Sequence, residues 1–269
     1  MNIYKMELRR GLKALLIWTF TTGFTLSLII AMYPAMMRSD FMDMMNAKIA
    51  MLPKELVDMF HVSGQDIRQL PQYFANMYQF VLMAQCIWGA LLGASALSRE
   101  ESEGTIEFLF AKPVTRARIA VMKLAAVCTQ YLVFFVVVGL AGMAICIIVR
   151  PADLPLADLI QQSETVLLGG MIAGYAYLFL GFALSAFLQS ARNAGSLAVG
   201  LFFGTYIMGF ISALGVVPFL IWVSPINWFV PRDVIMNGIS GLKVFFCFIL
   251  YAACTATAFS AYRRKDFLA

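Results

Sequence analysis

Charge and apolarity alternate along this chain in long blocks, not in the short rhythms of a water-soluble fold. Uncharged runs occupy 14–37, 69–98, 124–149, 165–191, 193–231 and 244–262, and the charges gather between them. A bilayer core about 30 Å thick needs about 20 apolar residues per helix, and each run reaches or approaches that length. The fifth is too long for one crossing, and Pro218, Pro225 and Pro231 interrupt its second half. The pattern predicts an all-α polytopic membrane protein, a single domain over 1–269. Six crossings are expected at about 16–37, 74–97, 121–149, 165–188, 194–217 and 242–261, with a broken, re-entrant segment at 218–240. The first run follows a basic start, as a signal peptide would. Its full spanning length and the runs after it predict a permanent first helix instead.

Composition strengthens this reading, since 61% of residues are hydrophobic and only 13% charged. The five cysteines fall in or beside the apolar runs with no CxxC pair, as small buried hydrophobes do. The single histidine, His61, has no second imidazole nearby to share a metal.

Lys and Arg favour the cytoplasmic side, so their placement orients the chain. With the N-terminus inside, Lys5, Arg9, Arg10, Lys13, Arg99, Lys112, Arg116, Arg118, Lys123, Arg192, Arg263, Arg264 and Lys265 all lie inside. Arg38, Lys48, Lys54, Arg68, Arg150, Arg232 and Lys243 lie outside, so both termini are expected in the cytoplasm. The pI near 9.0 then reports topology and contact with the lipid bilayer, not nucleic-acid binding. In "NIYKMELRRGLKALL", Tyr4, Leu8, Leu12 and Leu15 recur at helical spacing, with Lys5, Arg9 and Lys13 on the flank. This predicts an interfacial helix, 2–15, lying along the inner leaflet before the chain turns into the membrane, with an ordinary basic flank of the first crossing left open as the alternative. The external loop, 38–72, is expected to form short amphipathic helices, with Pro53 at a helix start and Leu56, Met59 and Phe60 on one face.

The runs carry no Lys, Arg, Asp or Glu. Such a residue at mid-bilayer costs about 2.5–3.5 kcal/mol and persists mainly where function needs it, which argues against an ion-coupled carrier or an intramembrane enzyme. No HExxH occurs, and Glu100–Glu101 is followed by Thr105 where an EExxxR protease motif needs arginine. No GxxxxGK[ST] occurs either, so the chain has no phosphate-cradling loop. Gly170 with Gly174, and Gly200 with Gly204, are spaced for close helix approach.

The segment 98–120 is different in kind. Glu100, Glu101 and Glu103 suit a helix start, Gly104 permits a sharp turn, and Ile106, Leu109 and Phe110 make a short apolar face. Pro113 ends that helix, and Thr115 is placed to cap the next. Such a short, rigid helix between two crossings suits gripping a protein partner. On physics alone a solvated charged loop, or a non-transporting scaffold or sensor that recruits a cytoplasmic partner, stays open.

"REESEGTIEFLFAKPVTRARIAVMKL" resembles the first cytoplasmic loop of ABC transporter permeases of the type-2, six-helix class, whose pattern is E-x-E-G-T-(I/L)-E followed by (S/A)-(K/R)-P-(V/I)-(S/T)-R. "LPKELVDMF" and "SPINWFVPRD" are similar to weaker elements of the same family. The resemblance implies a permease that pairs with a second permease chain, as homodimer or heterodimer, and docks two copies of a cytoplasmic ABC ATPase. ATP and magnesium would be held by that partner, with no cofactor in this chain and no catalysis of its own. Carried over residue by residue, Glu101, Glu103, Gly104, Thr105, Glu107, Phe108, Lys112, Pro113 and Arg116 would couple to the ATPase, and Tyr4, Leu8, Arg9 and Leu12 would belong to the connecting interfacial helix. Gln79, Gln85, Phe203 and Tyr206 would border the pathway, on crossings that meet across the dimer in relatives. The implied role is ATP-driven export of an amphipathic or hydrophobic cargo (a drug, an antimicrobial peptide or a lipid-like molecule) at the plasma membrane of a bacterium.

Overall fold

A computed structural model describes residues 3–37, 44, 47–48, 51, 69–99, 115–188, 193–215 and 217–264. Glu101, Glu103, Gly104, Thr105, Glu107, Phe108, Lys112 and Pro113 lie outside the described residues, as does most of the 38–72 loop. The regular elements described are all helical: α1 (Ile3–Ala31), α2 (Tyr33–Met36), α3 (Leu70–Ser95), α4 (Arg116–Ile148), α5 (Leu156–Phe187), α6 (Ala194–Ala213), a 3₁₀ helix (Pro218–Val223), α7 (Pro225–Trp228), α8 (Pro231–Asn237) and α9 (Gly241–Arg264). Six of these stretches are long and apolar enough to cross a membrane: α1 with α2, α3, α4, α5, α6 and α9. The chain is an all-α polytopic membrane protein.

Helices α3 and α5 form the axis, with more than half of each span buried. Their backbones touch. A Cβ on Gly89 would sit 2.7 Å from the Gly174 carbonyl oxygen, one on Gly93 would strike the Leu178 carbonyl, and one on Gly181 the Ala90 carbonyl. Hydrocarbon tails are as apolar as Leu, so close backbone approach of this kind is a main source of helix association in lipid. Around the axis, α1 packs mainly on α4, α9 on α5, and α6 on α3. Helices α6 and α9 are the least buried spans, about a fifth of each.

The N-terminal stretch differs from expectation. No turn separates an interfacial helix at 2–15 from a crossing that starts at 16; α1 runs unbroken from Ile3 to Ala31. No proline interrupts it, and its buried positions fall at four- and seven-residue steps, Ile3, Glu7, Gly11, Leu15, Thr22, Leu26 and Ile30, which keep to one face of the helix. That single stripe is held against α4. Of the Tyr4, Leu8, Leu12 and Leu15 stripe read from hydropathy, Leu15 is buried, Tyr4 and Leu8 are half-buried and Leu12 is 50% exposed.

Elsewhere local chemistry explains the boundaries. Thr115 caps α4, its hydroxyl accepting the Arg118 amide at 3.3 Å. The α4–α5 connection is closed by Arg150 Nη1 donating to the Leu154 carbonyl at 2.6 Å. Beyond α6, Pro218, Pro225 and Pro231 each stand in the first two positions of a short helix, where a missing N–H costs nothing. Gly215 and Gly238 take positive φ, 75° and 72°, at the turns out of α6 and towards α9. The broken segment turns back onto the bundle and buries Ile226, Trp228, Phe229 and Val234. Trp228 Nε1 donates to the Ile221 carbonyl at 3.0 Å and Ser212 Oγ to the Pro218 carbonyl at 2.8 Å, which ties its turns together.

Candidate functional site

The first turns of α4 follow directly on the charged segment, and the ends of three other helices meet them there. Lys123 is 1% exposed. Its Nζ donates to the carbonyl of Ala96, the C-cap of α3, at 2.7 Å, and lies 3.7 Å from Glu7 Oε1 on α1. The cation thus sits where the last α3 carbonyls concentrate negative charge, facing a carboxylate that is itself buried. Two turns further along the same face of α4, Gln130 Nε2 donates to the Glu7 carbonyl at 3.0 Å. Gly11 makes room for that amide, since a Cβ there would collide with it. Tyr4 Oη donates to Thr129 Oγ1 at 3.0 Å. At the start of α4, Arg116 Nη1 donates to the Arg263 carbonyl at 3.4 Å, close to the C-terminus of α9. A shift of the α4 N-terminus is therefore felt at once by α1, by α3 and by α9.

Of the residues the sequence singled out, Arg116 and Tyr4 touch this junction. Leu8 is half-buried, and Arg9 and Leu12 are exposed on α1. Sequence reasoning passed over Glu7, Gly11, Lys123 and Gln130. A signal was present: Glu7 is the only acid among the bases of the N-terminal stretch, and Lys123 and Gln130 lie seven residues apart on one face of a helix.

The four pathway candidates do not share a surface of one chain. Gln85 is fully buried in the bundle, its Oε1 accepting the Tyr78 hydroxyl at 2.7 Å. Gln79 is half-buried on another face of α3. Tyr206 stacks on Phe202 with ring centres 5.9 Å apart, while Phe203 points away from the bundle and is exposed. The two glycine pairs also part company. A Cβ on Gly170 would strike the Tyr78 hydroxyl and one on Gly174 the Tyr131 hydroxyl, so both are used inside the protomer. Gly200 and Gly204 have nothing within 4 Å of where a Cβ would stand. With Leu197, Phe203 and Ile207 they form an apolar outer face of α6.

A family model described as "ABC-2 family transporter protein" matches residues 1–266. No curated protein gives a significant match to the chain.

Proposed function

The chain belongs to the ABC-2 transporter family, and on that premise we propose that it is the membrane half of an ATP-driven exporter, moved by a separate cytoplasmic ATPase through the charged segment 98–120. The observation that carries this reading is the junction beneath that segment. Lys123, Arg116 and Gln130 join α4 to three other helices within the first few turns after the segment ends. A push delivered to the N-terminus of α4 would reach α1, α3 and α9 through these side-chain contacts. Glu101, Glu103, Gly104, Thr105, Glu107, Phe108, Lys112 and Pro113 are the proposed contacts with that ATPase, two copies of which would hold ATP and magnesium.

The proposal places both termini and the basic end of the bundle in the cytoplasm of a bacterial cell. It pairs the chain with a second permease through the outer face of α6, where Gly200 and Gly204 leave room for a close partner helix. The uncharged spans favour an amphipathic or hydrophobic cargo.

The test is copurification and transport. The chain should bring down an ATPase subunit, and ATP should drive cargo across proteoliposomes containing both. Glu103→Ala with Glu107→Ala should abolish both association and transport while leaving the permease folded. A complex that assembles and hydrolyses ATP unchanged with that double substitution overturns the coupling role.

A further inference from the structure

Helix α6 meets the rest of the bundle differently along its two halves. Its inward positions fall on one face at three- and four-residue steps: Ala198, Phe202, Thr205, Gly209 and Ser212. Ala198 and Phe202 are fully buried in the apolar core. The next three present little apolar surface, and each meets a polar partner instead. Thr205 Oγ1 lies 2.9 Å from Tyr177 Oη on α5. A Cβ on Gly209 would collide with the side-chain amide of Asn227, so the α7 turn rests on the α6 backbone there. Ser212 Oγ donates to the Pro218 carbonyl at 2.8 Å, and the 3₁₀ helix packs along α6. On the other side α7 and α8 pack on α5, where Phe229 and Val234 cover Gly169. A seam thus separates α6 with the 3₁₀ helix from α5 with α7 and α8. The chain crosses it at Ser224, beside the bond from Trp228 Nε1 to the Ile221 carbonyl.

Tyr177 stands on this seam. Its side chain is fully buried, and its ring packs on Phe202 with centres 5.2 Å apart. Thr205 uses its own hydrogen on the α6 carbonyls of Leu201 and Phe202, each at 3.0 Å, which leaves Tyr177 as the donor between the two hydroxyls. The Ser224 hydroxyl and the backbone N–H of Ile226 face the same phenolic oxygen. Ser224 Oγ is fully buried and completes no hydrogen bond among the described residues. A hydroxyl held in that way is costly, so the turn at Ser224 is poised to rearrange. One oxygen therefore sits where α5, α6 and the broken segment converge. No backbone of α6 presses on α5 there, in contrast to the glycine contacts that join α3 to α5.

We propose that the Tyr177 hydroxyl is a latch: it holds α6 and the 3₁₀ helix closed against α5, α7 and α8, and the end of the bundle away from the termini opens along this seam when its bond to Thr205 breaks. The turn at Ser224 is the hinge, and opening brings water to Ile226, which is fully buried in the closed form. The use of that opening to release cargo rests on the exporter reading above; the latch itself does not.

The test uses the full chain in lipid nanodiscs, without ATPase, carrying Ile226→Cys as a reporter. A sulfonated maleimide, which reaches thiols through water and not through lipid, reads the opening as a labelling rate; the chain without the reporter supplies the background from its own cysteines. One interhelical hydroxyl bond in a membrane bundle is worth about a threefold bias. Tyr177→Phe, which keeps the ring on Phe202, should therefore speed labelling about threefold, and so should Thr205→Val. Together they break the same bond once and should add little to either alone. Tyr251→Phe removes a comparable bond, to the Ile172 carbonyl between α9 and α5, and should leave the rate unchanged. Should Tyr177→Phe fail to fold, Thr205→Val carries the test. An unchanged rate in the variant that folds, additive effects in the double, or equal acceleration by Tyr251→Phe (a general loosening) overturns the proposal. With the ATPase bound, ATP should also speed labelling of the reporter; its failure to do so beside a threefold effect of Tyr177→Phe would count against the exporter reading and leave the latch standing.

Discussion

Replacing Lys123 by Met removes a charge and a donor while keeping an unbranched side chain of similar length. At 3.7 Å from Glu7 the Coulomb attraction is about 4 kcal/mol for an effective dielectric near 20, before the cost of burying both ions is subtracted. The substitution also takes from the Ala96 carbonyl a hydrogen bond of 2.7 Å, and a buried acceptor left wanting costs about 1–3 kcal/mol. Losing one member of a buried pair generally costs about 3–5 kcal/mol, because the other ion stays behind in the low-dielectric interior. Lys123→Met should therefore lower the thermal midpoint of the purified chain by about 10 °C, at about 2–4 °C per kcal/mol for a chain of this size. Glu7→Gln leaves the Ala96 bond in place and should cost about half as much. In the double variant both charges are gone, so its loss should fall short of the sum by about 2 kcal/mol.

The readout is fluorescence-detected gel filtration after heating, for the native chain, both single variants and the double. Additivity within about 0.5 kcal/mol, or a shift below about 2 °C for Lys123→Met, refutes the idea that this pair holds the junction. A functional arm separates stability from coupling: with the ATPase present, Lys123→Arg should keep the fold and retain part of ATP-driven transport, whereas Lys123→Met should lose more transport than ATP hydrolysis.

Further expectations concern the bundle itself. Gly93→Val and Gly181→Val drive a side chain into the facing helix backbone, so each should abolish recovery of folded protein. Gly200→Val meets nothing within the protomer and should leave its midpoint within about 1 °C, while lowering the dimer fraction measured by crosslinking. Tyr251→Phe removes a 2.6 Å bond to the Ile172 carbonyl that ties α9 to α5 and should cost about 1 kcal/mol in a denaturant titration. Thr115→Ala takes the cap from α4 and should cost about 1 kcal/mol, read as faster amide exchange at Arg118.

The crossings were legible in the sequence because spanning length and absence of charge answer to bilayer thickness alone. The faces of the helices were not. On α1 the buried stripe contains Glu7 and Gly11, so a search for apolar periodicity settles on Tyr4, Leu8 and Leu12 beside Leu15, and of these only Leu15 is buried. Lys123 was counted only among the cytoplasmic bases, since nothing in hydropathy distinguishes a lysine that faces water from one that faces Glu7 and the end of α3. The glycine spacings at 170/174 and 200/204 look alike in sequence. Only the first is occupied inside the protomer, by the tyrosines at 78 and 131, and the contact between Gly89, Gly93 and α5 escaped notice.

These failures share a physical origin. In water, burial and apolarity go together, so a hydrophobic stripe marks the core. In lipid the exterior is as apolar as the interior, and exposed Phe20, Phe24, Leu140 and Phe248 cost nothing there. What then distinguishes the inside of this bundle is what lipid cannot supply: backbone-to-backbone contact at glycine, hydroxyls seeking carbonyls, and one compensated pair of charges. Tyr175 donating to the Cys128 carbonyl at 3.0 Å, Tyr177 meeting Thr205 at 2.9 Å and Tyr251 reaching Ile172 belong to that set. Bonds of this kind average about 0.6 kcal/mol in membrane bundles and reach about 1.7. Spread among α4, α5, α6 and α9, they hold helices in register without welding them, whereas the α3–α5 glycine contact has no side chain to yield. Motion in this protein therefore belongs at α6 and α9, joined to the axis by side chains, and not between α3 and α5, where the backbones themselves are in contact.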